Sequence, residues 1–240
     1  AIVSVIFANN EIGSLNPISK IGELCHSRGI IFHTDAVQAA GYYPLDVTSL
    51  NTDLISLGAH KFYGPKGIGV LYIRKGLHIL PSQTGGGQEY GYRAGTQNIP
   101  YIVGMAEALR LAQTEKDKRI SALVPLRDHM IGTLLEEIPD TQLTGHPQER
   151  LPNHASFLFK GIDGNALLTM LDMEGFACSS GSACKTGNPE PSDVLTSLGF
   201  TRDWALGSLR ITLGMYTTSS EVEAFLNDLP GLVSKLRKLS

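Results

Sequence analysis

Short apolar runs alternate with a helical pattern in the first part of the chain, and this alternation most constrains the fold. Residues 2–7, 30–34 and 53–57 each have the length and composition of a buried strand. Between the first two, Asn16-Pro17 supplies an N-cap and a proline for the first helical turn, and Gly29 ends the helix. Strand–helix–strand order predicts a parallel sheet with right-handed crossovers, and therefore an α/β fold.

The ends of two predicted strands carry complementary reactive groups. Asp35 directly follows strand 30–34, and Lys61 follows strand 53–57 after a small-residue turn. Ligands of α/β sheets bind at the carboxyl ends of the strands. An amine nucleophile and a carboxylate that can pair with a pyridinium nitrogen are the groups that pyridoxal phosphate requires. For Lys61 taken alone, a surface lysine beside a turn is the alternative.

The composition is that of an ordinary globular protein. Of 240 residues, 42% are hydrophobic and 18% are charged, and the formal net charge is −3 without a basic cluster. We therefore expect neither nucleic acid nor a membrane as a partner. Three cysteines predict no disulfide framework and indicate a reduced, cytoplasmic compartment. Cys25 lies on the apolar face of the first helix and is expected to be buried and inert.

The second part of the chain has a different order of elements. A helical pattern covers residues 100–138, and its charged run at 115–119 predicts a domain boundary. We assign residues 1–117 to a larger domain and residues 118–240 to a smaller α+β domain. Further predicted elements are a strand at 69–73, antiparallel to its predecessor, strands at 155–159 and 209–213, a helix at 165–174, and a closing helix from about Ser220 that Pro230 kinks or interrupts.

Residues 177–192 are small, polar and rich in glycine and proline, which is typical of an exposed, mobile loop. Cys184 stands beside Lys185, which favours a thiolate, and is the candidate nucleophile. Cys178 is predicted to be structural. A zinc site is not favoured because there is neither a second cysteine pair nor a nearby histidine, and no metal ligands are assigned.

Two further features indicate anion binding. Arg210 lies in an otherwise apolar strand, where either a bound carboxylate or an internal salt bridge would satisfy it. The Gly-rich segment 85–98 carries a hydroxyl at Thr96 and ends at a helix start, so its N–H groups suit a phosphate. A simple flexible connection is the alternative for this segment.

Together the motifs resemble those of the NifS-like cysteine desulfurases, a family of fold-type I pyridoxal-phosphate enzymes. They occur in family order across essentially all 240 residues, and they are Asn9-Asn10-Glu11-Ile12-Gly13, His33-Thr34-Asp35-Ala36-Val37-Gln38, His60-Lys61-Phe62-Tyr63-Gly64-Pro65-Lys66-Gly67, Gly85-Gly86-Gly87-Gln88-Glu89, Arg93-Ala94-Gly95-Thr96, Ser179-Ser180-Gly181-Ser182-Ala183-Cys184 and Ser208-Leu209-Arg210-Ile211-Thr212-Leu213-Gly214. The resemblance implies part of a fold-type I large domain, mainly a parallel sheet with flanking helices, followed by a smaller C-terminal α+β domain.

The resemblance also implies site residues. Lys61 would be the Schiff-base lysine and proton carrier, and Cys184 would take the substrate sulfur as a persulfide. Arg210 and Asn10 would contact the substrate, with Arg210 on its carboxylate. Asp35 would pair with the pyridine nitrogen, and Thr96 would reach the phosphate of a neighbouring subunit. The cofactor-binding positions would be Asn10, Asp35, Gln38, Ser56, His60, Lys61 and Thr96.

The implied activity is removal of sulfur from L-cysteine, giving L-alanine and a persulfide for iron–sulfur cluster or thio-cofactor biosynthesis. The implied partners are a sulfur-acceptor or scaffold protein and a second copy in a homodimer. There are two alternatives. One is selenocysteine lyase, and the other is a non-catalytic fragment that keeps only the dimer and acceptor surfaces.

The sequence departs from the family pattern at two places. The family usually has a hydroxyl residue three positions before the lysine, where Gly58 stands here, and Ser56 is the nearest replacement. Family members also carry a further N-terminal part, which supplies a phosphate-binding turn and a group that stacks on the ring. We therefore expect the 240 residues alone to bind pyridoxal phosphate poorly.

Overall fold

The computed structural model describes residues 1–181 and 190–239. The chain forms two compact units, one of residues 1–8 and 16–117 and the other of residues 9–15 and 118–240. The chain passes from one unit to the other at the charged run, where the sequence predicted a boundary. Residues 9–15 differ from the prediction, because they belong to the second unit.

A four-stranded sheet forms the centre of the first unit. Strands β1 (Ile2–Ile6), β2 (Ile31–Asp35) and β3 (Leu54–Gly58) are parallel, and β4 (Gly69–Ile73) is antiparallel to β3. The strand order is β1-β2-β3-β4. Ile6 lies beside Asp35, and Asp35 beside Ser56, so the polar ends of neighbouring strands are in register. The predicted mainly parallel sheet and its antiparallel last strand are confirmed.

The first helix, α1 (Ile18–His26), begins differently from the prediction. Its N-cap residue is Pro17, and no side chain caps it. The Asn16 side chain instead donates to the Ile6 carbonyl at 2.8 Å, and the Asn16 N–H donates to the Phe7 carbonyl at 2.8 Å. The predicted cap is therefore wrong, because the end of β1 binds this side chain. Cys25 is buried in α1, as predicted.

The remaining elements of the first unit follow β3 and β4. They are a 3-10 turn at Ala59–Phe62, the short strands β5 (Gly87–Gln88) and β6 (Arg93–Ala94), a 3-10 turn at Glu89–Gly91 between them, and helix α2 (Ile99–Thr114). Asn98 caps α2 by accepting the Tyr101 N–H at 3.3 Å. A core of Ala40, Ala59, Phe62, Met105 and Ala112 packs α2 against the first 3-10 turn.

The second unit is α+β, as predicted. Its antiparallel sheet contains β7 (Thr141–Leu143), β8 (His154–Phe159) and β9 (Ser208–Thr212), and β8 is buried at every position. Its helices are α3 (Lys116–Glu137), α4 (Gly164–Met173), α5 (Asp193–Ser197), α6 (Arg202–Ala205) and α7 (Ser219–Arg237). Helix α7 begins with a capping box of Thr218 and Glu221 and continues through Pro230, so the predicted interruption does not occur.

Residues 9–15 join the second unit through backbone and side-chain contacts. The Leu15 N–H donates to the Glu149 carbonyl at 2.9 Å, and the Leu151 N–H donates to the Gly13 carbonyl at 2.9 Å. Ile12 is buried in a cluster with Leu158 and Leu195. These contacts explain why a segment that follows β1 in sequence belongs to the second unit. No helix of residues 1–181 and 190–239 is long and apolar enough to span a membrane.

Asp53 is a buried charged residue of the first unit. Its carboxylate accepts the Phe32 N–H at 2.8 Å, Arg74 Nε at 2.5 Å and His26 Nε2 at 3.1 Å. Only 1% of its side chain is exposed. Burial alone would raise the pKa of Asp53, but the three donors outweigh burial and lower it below the ordinary value. The network connects the starts of β2 and β3 to the end of β4.

Replacing Asp53 by asparagine is expected to lower the free energy of unfolding by about 2 kcal/mol at pH 7, because an amide NH₂ would face donors. A lowered pKa stabilises the fold above the unfolded value and loses that contribution as the pH falls through the folded value. The difference between variant and wild type should therefore shrink below about pH 4 in urea titrations. Asp117→Asn, at a side chain 86% exposed, is the matched control. A difference that stays constant with pH would contradict the prediction.

Candidate active site

A carboxylate and an amine lie at the same edge of the first unit's sheet. Asp35 is the last residue of β2, and Lys61 lies three residues beyond the end of the parallel neighbour β3. Asp35 is half-buried, and its Oδ1 accepts the Val37 N–H at 2.9 Å. Among the described residues no donor reaches its other oxygen, which is therefore available to a ligand. This edge is where ligands of parallel sheets bind.

The 3-10 turn after β3 exposes two basic side chains to solvent. Ala59 and Phe62 are buried, whereas His60 and Lys61 are exposed. A hydrogen bond from the Gly64 N–H to the Ala59 carbonyl, 2.9 Å long, closes the turn. Tyr63, just before Gly64, has a left-handed φ of 67°. A Cβ at Gly58 would lie 3.4 Å from the His60 ring, so the residue at the unusual glycine position faces this imidazole.

His33 is a polar residue of this face that the sequence analysis did not assign to the site. Its Nδ1 lies 2.7 Å from Ser4 Oγ, and its Nε2 lies 2.8 Å from Ser56 Oγ. Burial lowers the pKa of His33, and the nearby charge of Asp35 only partly opposes this. The imidazole is therefore neutral near pH 7, with one donor and one acceptor nitrogen. The spacing of His33 and Asp35 was the signal, since residues i and i+2 share a strand face.

The other predicted cofactor positions of the first unit have different surroundings. Ser56 is a hydrogen-bond partner of His33, so its predicted phosphate role stays a prediction. Gln38 is half-buried in the turn that follows Asp35. Thr96 is exposed in the connection between β6 and α2, and its predicted partner is a neighbouring subunit.

Residues 9–13 form a compact turn in the second unit, called the 9–13 turn below. The Asn9 side-chain oxygen accepts the N–H groups of Glu11 at 2.8 Å and Ile12 at 3.0 Å. Gly13 has a φ of +76°, and a Cβ there would lie 2.6 Å from Nδ1 of His154. Both its conformation and the close histidine ring therefore require glycine at position 13.

Arg210 of β9 is attached to the 9–13 turn. Its guanidinium donates to the Asn10 carbonyl at 3.0 Å and to Ser179 Oγ at 3.0 Å. Both acceptors are neutral, and Arg210 is in no ion pair of the described residues. The salt-bridge alternative is thus not found in that part of the chain. A positive charge held only by neutral groups suits a carboxylate ligand.

His154 is a second hydrogen-bond donor to the Asn10 carbonyl. Its Nε2 donates to the Asn10 carbonyl at 3.3 Å. Burial lowers the pKa of His154 to about 3, with a smaller contribution from the charge of Arg150. The ring is therefore neutral near pH 7. The Asn10 carbonyl therefore accepts hydrogen bonds from both Arg210 and His154, while the Asn10 side chain is exposed.

The cysteines differ in their surroundings. Burial raises the pKa of the Cys178 thiol to about 11, so this thiol is protonated near neutral pH and is a poor nucleophile. That agrees with its predicted structural role. Cys184, the predicted nucleophile, lies outside the described residues. In the described ranges, no group of three His, Cys, Asp or Glu side chains is placed to hold a metal ion.

The residues at the sheet edge fit pyridoxal phosphate by their chemistry. Lys61 offers an exposed amine, Asp35 a carboxylate oxygen without a donor, and His60 a polar ring beside a turn of small residues. The structure brings Asp35, Ser56, His60 and Lys61 to one sheet edge. It brings Asn10 and Arg210 into contact in the other unit.

Comparisons with known proteins agree with this chemistry. Residues 1–225 match the model of the family described as aminotransferase class-V. The chain is 48% identical over 239 residues to a cysteine desulfurase IscS of Methanosarcina thermophila, covering all of this chain and 59% of that protein. A solved NifS-like protein superposes with a TM-score of 0.88 at 35% identity, covering 98% of this chain and 61% of the other. A NifS-like protein from Rickettsia africae gives a TM-score of 0.89 at 30% identity, with coverages of 97% and 62%. The chain thus spans about three-fifths of these relatives.

Proposed function

The chain belongs to the aminotransferase class-V family, and from this premise we propose that it acts in a pyridoxal-phosphate-dependent cysteine desulfurase. The proposed reaction takes sulfur from L-cysteine, leaves L-alanine, and transfers the sulfur through Cys184 to an acceptor protein. One observation carries the proposal: Asp35 and Lys61 lie at the carboxyl ends of adjacent parallel strands, and the second oxygen of Asp35 lacks a donor among the described residues. The name of the Methanosarcina relative supports the choice of substrate.

Each group has a defined task in the proposed reaction. Pyridoxal phosphate, when bound, supplies a ring that withdraws electrons from the substrate. Asp35 would hold the proton of the ring nitrogen, and Lys61 would hold the aldehyde end and carry the Cα proton. Arg210 would bind the substrate carboxylate. The cofactor would further contact Asn10, Gln38, Ser56 and His60.

The sulfur step balances without an external oxidant. The Cys184 thiolate attacks the substrate sulfur, and an S–S bond forms as the Cβ–S bond of the substrate breaks. The Cβ gains a proton, so the carbon skeleton is reduced to alanine while the transferred sulfur becomes the outer sulfur of a persulfide. A protein thiol would then accept this sulfur. The same proposal has three further parts. The protein would form a homodimer in which Thr96 reaches the partner's phosphate. An iron–sulfur scaffold would accept the sulfur, and the location would be cytoplasmic.

The function is tested by mass spectrometry of the cofactor-loaded protein after incubation with L-cysteine. One sulfur atom should be added at Cys184 in the wild type, and the addition should be absent from Cys184→Ala. Cys178→Ala is the matched control, because burial raises the pKa of that thiol to about 11 and disfavours its thiolate, and it should keep the adduct. Sulfur on Cys178 but not on Cys184, or alanine formation unaffected in Cys184→Ala, would contradict the proposal. Turnover of selenocysteine but not of cysteine would instead assign the protein as a selenocysteine lyase.

A further inference from the structure

His154 and Arg210 lie on the same face of the second unit's sheet. Arg210 of β9 pairs with Ser156 of β8, and His154 lies two positions before Ser156. Paired residues of an antiparallel sheet point to the same side, and so do residues i and i+2 of one strand. The imidazole and the guanidinium therefore reach the 9–13 turn from neighbouring strands.

One backbone oxygen accepts hydrogen bonds from both side chains. The Asn10 carbonyl accepts Nη1 of Arg210 at 3.0 Å and Nε2 of His154 at 3.3 Å. A carbonyl oxygen has two lone pairs, so these donors fill both of its acceptor positions. Because a carbonyl cannot donate, the proton of the neutral imidazole is on Nε2. Two donors hold this oxygen in place more firmly than one donor would.

The His154 ring is itself fixed in this position. The residue is only 2% exposed. A Cβ at Gly13 would lie 2.6 Å from Nδ1 and 3.0 Å from Cγ of the ring, so the 9–13 turn packs directly on the imidazole. Burial, and after it the charges of Arg150 and Arg210, lower the pKa of His154 and keep the ring neutral. The ring therefore donates to Asn10 without adding a positive charge beside two arginines.

Arg210 keeps free donors while these contacts hold it. A guanidinium has five N–H donors. One bond goes to the Asn10 carbonyl and one to Ser179 Oγ, and the guanidinium has no other acceptor among residues 1–181 and 190–239. Three donors remain on a half-buried side chain, which is enough for a bidentate contact with a carboxylate. Their direction is set by the two bonds already made.

We propose that His154 is a positioning residue for the substrate carboxylate, because it fixes the Asn10 carbonyl that orients the Arg210 guanidinium. The inference rests on the proposed function, which assigns Arg210 to that carboxylate, and extends it to a residue too buried to touch the substrate itself. Without the His154 N–H the guanidinium would lose part of its preorganised direction.

The kinetic consequence is weaker binding of cysteine. The substrate carboxylate takes no part in breaking the C–S bond, so its contact with Arg210 is the same in the ground state and in the transition state. Loss of such uniform binding raises KM and leaves kcat unchanged.

Three variants at position 154 place a donor at different points. His154→Gln brings an amide N–H to the position of Nε2, and His154→Asn ends one bond earlier, near the position of Nδ1. His154→Met fills the space without a donor. The asparagine and methionine variants both lack the contact, so the test remains possible if one of them fails to fold. His129→Met, at an exposed histidine of α3 in the same unit, is the control for loss of an imidazole.

In the cofactor-loaded protein, His154→Met and His154→Asn are each expected to raise KM for cysteine about 10-fold, with kcat within about two-fold of the wild type. His154→Gln should stay within about three-fold of the wild-type KM, and His129→Met should match the wild type. A fall in kcat at constant KM, or equal KM values for the glutamine and methionine variants, would overturn the proposal.

Arginine modification gives a readout that requires neither cofactor nor turnover. Phenylglyoxal reacts with accessible guanidinium groups, and peptide mass spectrometry measures the rate at each arginine. Arg210 should react about three-fold faster in His154→Met than in the wild type, because its anchoring is weakened. It should react at the wild-type rate in His154→Gln. Exposed Arg28 is the internal standard.

The two readouts fail separately. An unchanged modification rate of Arg210 in His154→Met, with alanine formed normally, would overturn the inference and leave the proposed function standing. If the loaded wild type forms no alanine while the modification rates respond as expected, then the proposed function fails and the positioning of Arg210 by His154 stands.

Discussion

Replacing Lys61 by alanine is expected to lower alanine formation from cysteine by about 10⁴-fold, the upper range for loss of a general acid–base group. Lys61 would hold the cofactor aldehyde and carry the substrate proton, and the described residues place no other lysine directly at the end of β3. The loss should appear in kcat, because Arg210 remains to bind the substrate carboxylate.

Lys66→Ala is the matched control for Lys61. Both lysines are exposed and lie in the same stretch of chain, but Lys66 follows Pro65 and is outside the 3-10 turn. We expect the control to keep activity within about two-fold, as surface substitutions usually do. Reduction of the loaded protein with borohydride followed by peptide mass spectrometry gives a second readout, since the cofactor mass should be fixed on Lys61. Equal losses in the two variants, or cofactor fixed on Lys66, would refute the assignment.

Replacing Arg150 by methionine is expected to lower the free energy of unfolding of the second unit by about 4 kcal/mol. Arg150 is 2% exposed. Its guanidinium donates to four backbone carbonyls, those of Ile12 at 3.2 Å, Thr144 at 3.2 Å, His154 at 3.2 Å and His146 at 3.3 Å. Methionine has a similar length but no donors, so these carbonyls lose their partner while buried.

The charge of Arg150 is retained despite its burial. Burial, with a smaller contribution from the neighbouring charge of Arg127, lowers its pKa to about 10, and the group remains a cation near neutral pH. Because one of its bonds reaches Ile12, the variant should also loosen the segment 9–15. Urea titration followed by the fluorescence of Trp204 measures the loss in the second unit. Arg110→Met, at an exposed ion pair of α2, should change stability by less than about 0.5 kcal/mol. A loss below about 1 kcal/mol in Arg150→Met would contradict the prediction.

The residues at the sheet edge were accessible to sequence reasoning because strand ends are encoded locally. Asp35 and Lys61 directly follow apolar runs, and a parallel sheet places such residues at one edge whatever the rest of the chain does. The antiparallel β4 was predictable for the same reason, since only a short connection separates it from β3. Pro230 shows the limit of local reasoning: α7 continues through it, with Leu229 and Val233 buried on either side.

The sequence by itself determined the alternation of strands and helices, the edge that carries Asp35 and Lys61, and the family. Only the tertiary structure decided that residues 9–15 belong to the second unit, that His33 bonds Ser56, and that Arg210 and His154 meet at the Asn10 carbonyl. The physical reason is separation along the chain: periodicity and turn chemistry act over a few residues, whereas the bond from Arg210 to Asn10 joins positions 200 residues apart. Such contacts depend on how packed elements bring distant groups together, and no local pattern encodes them.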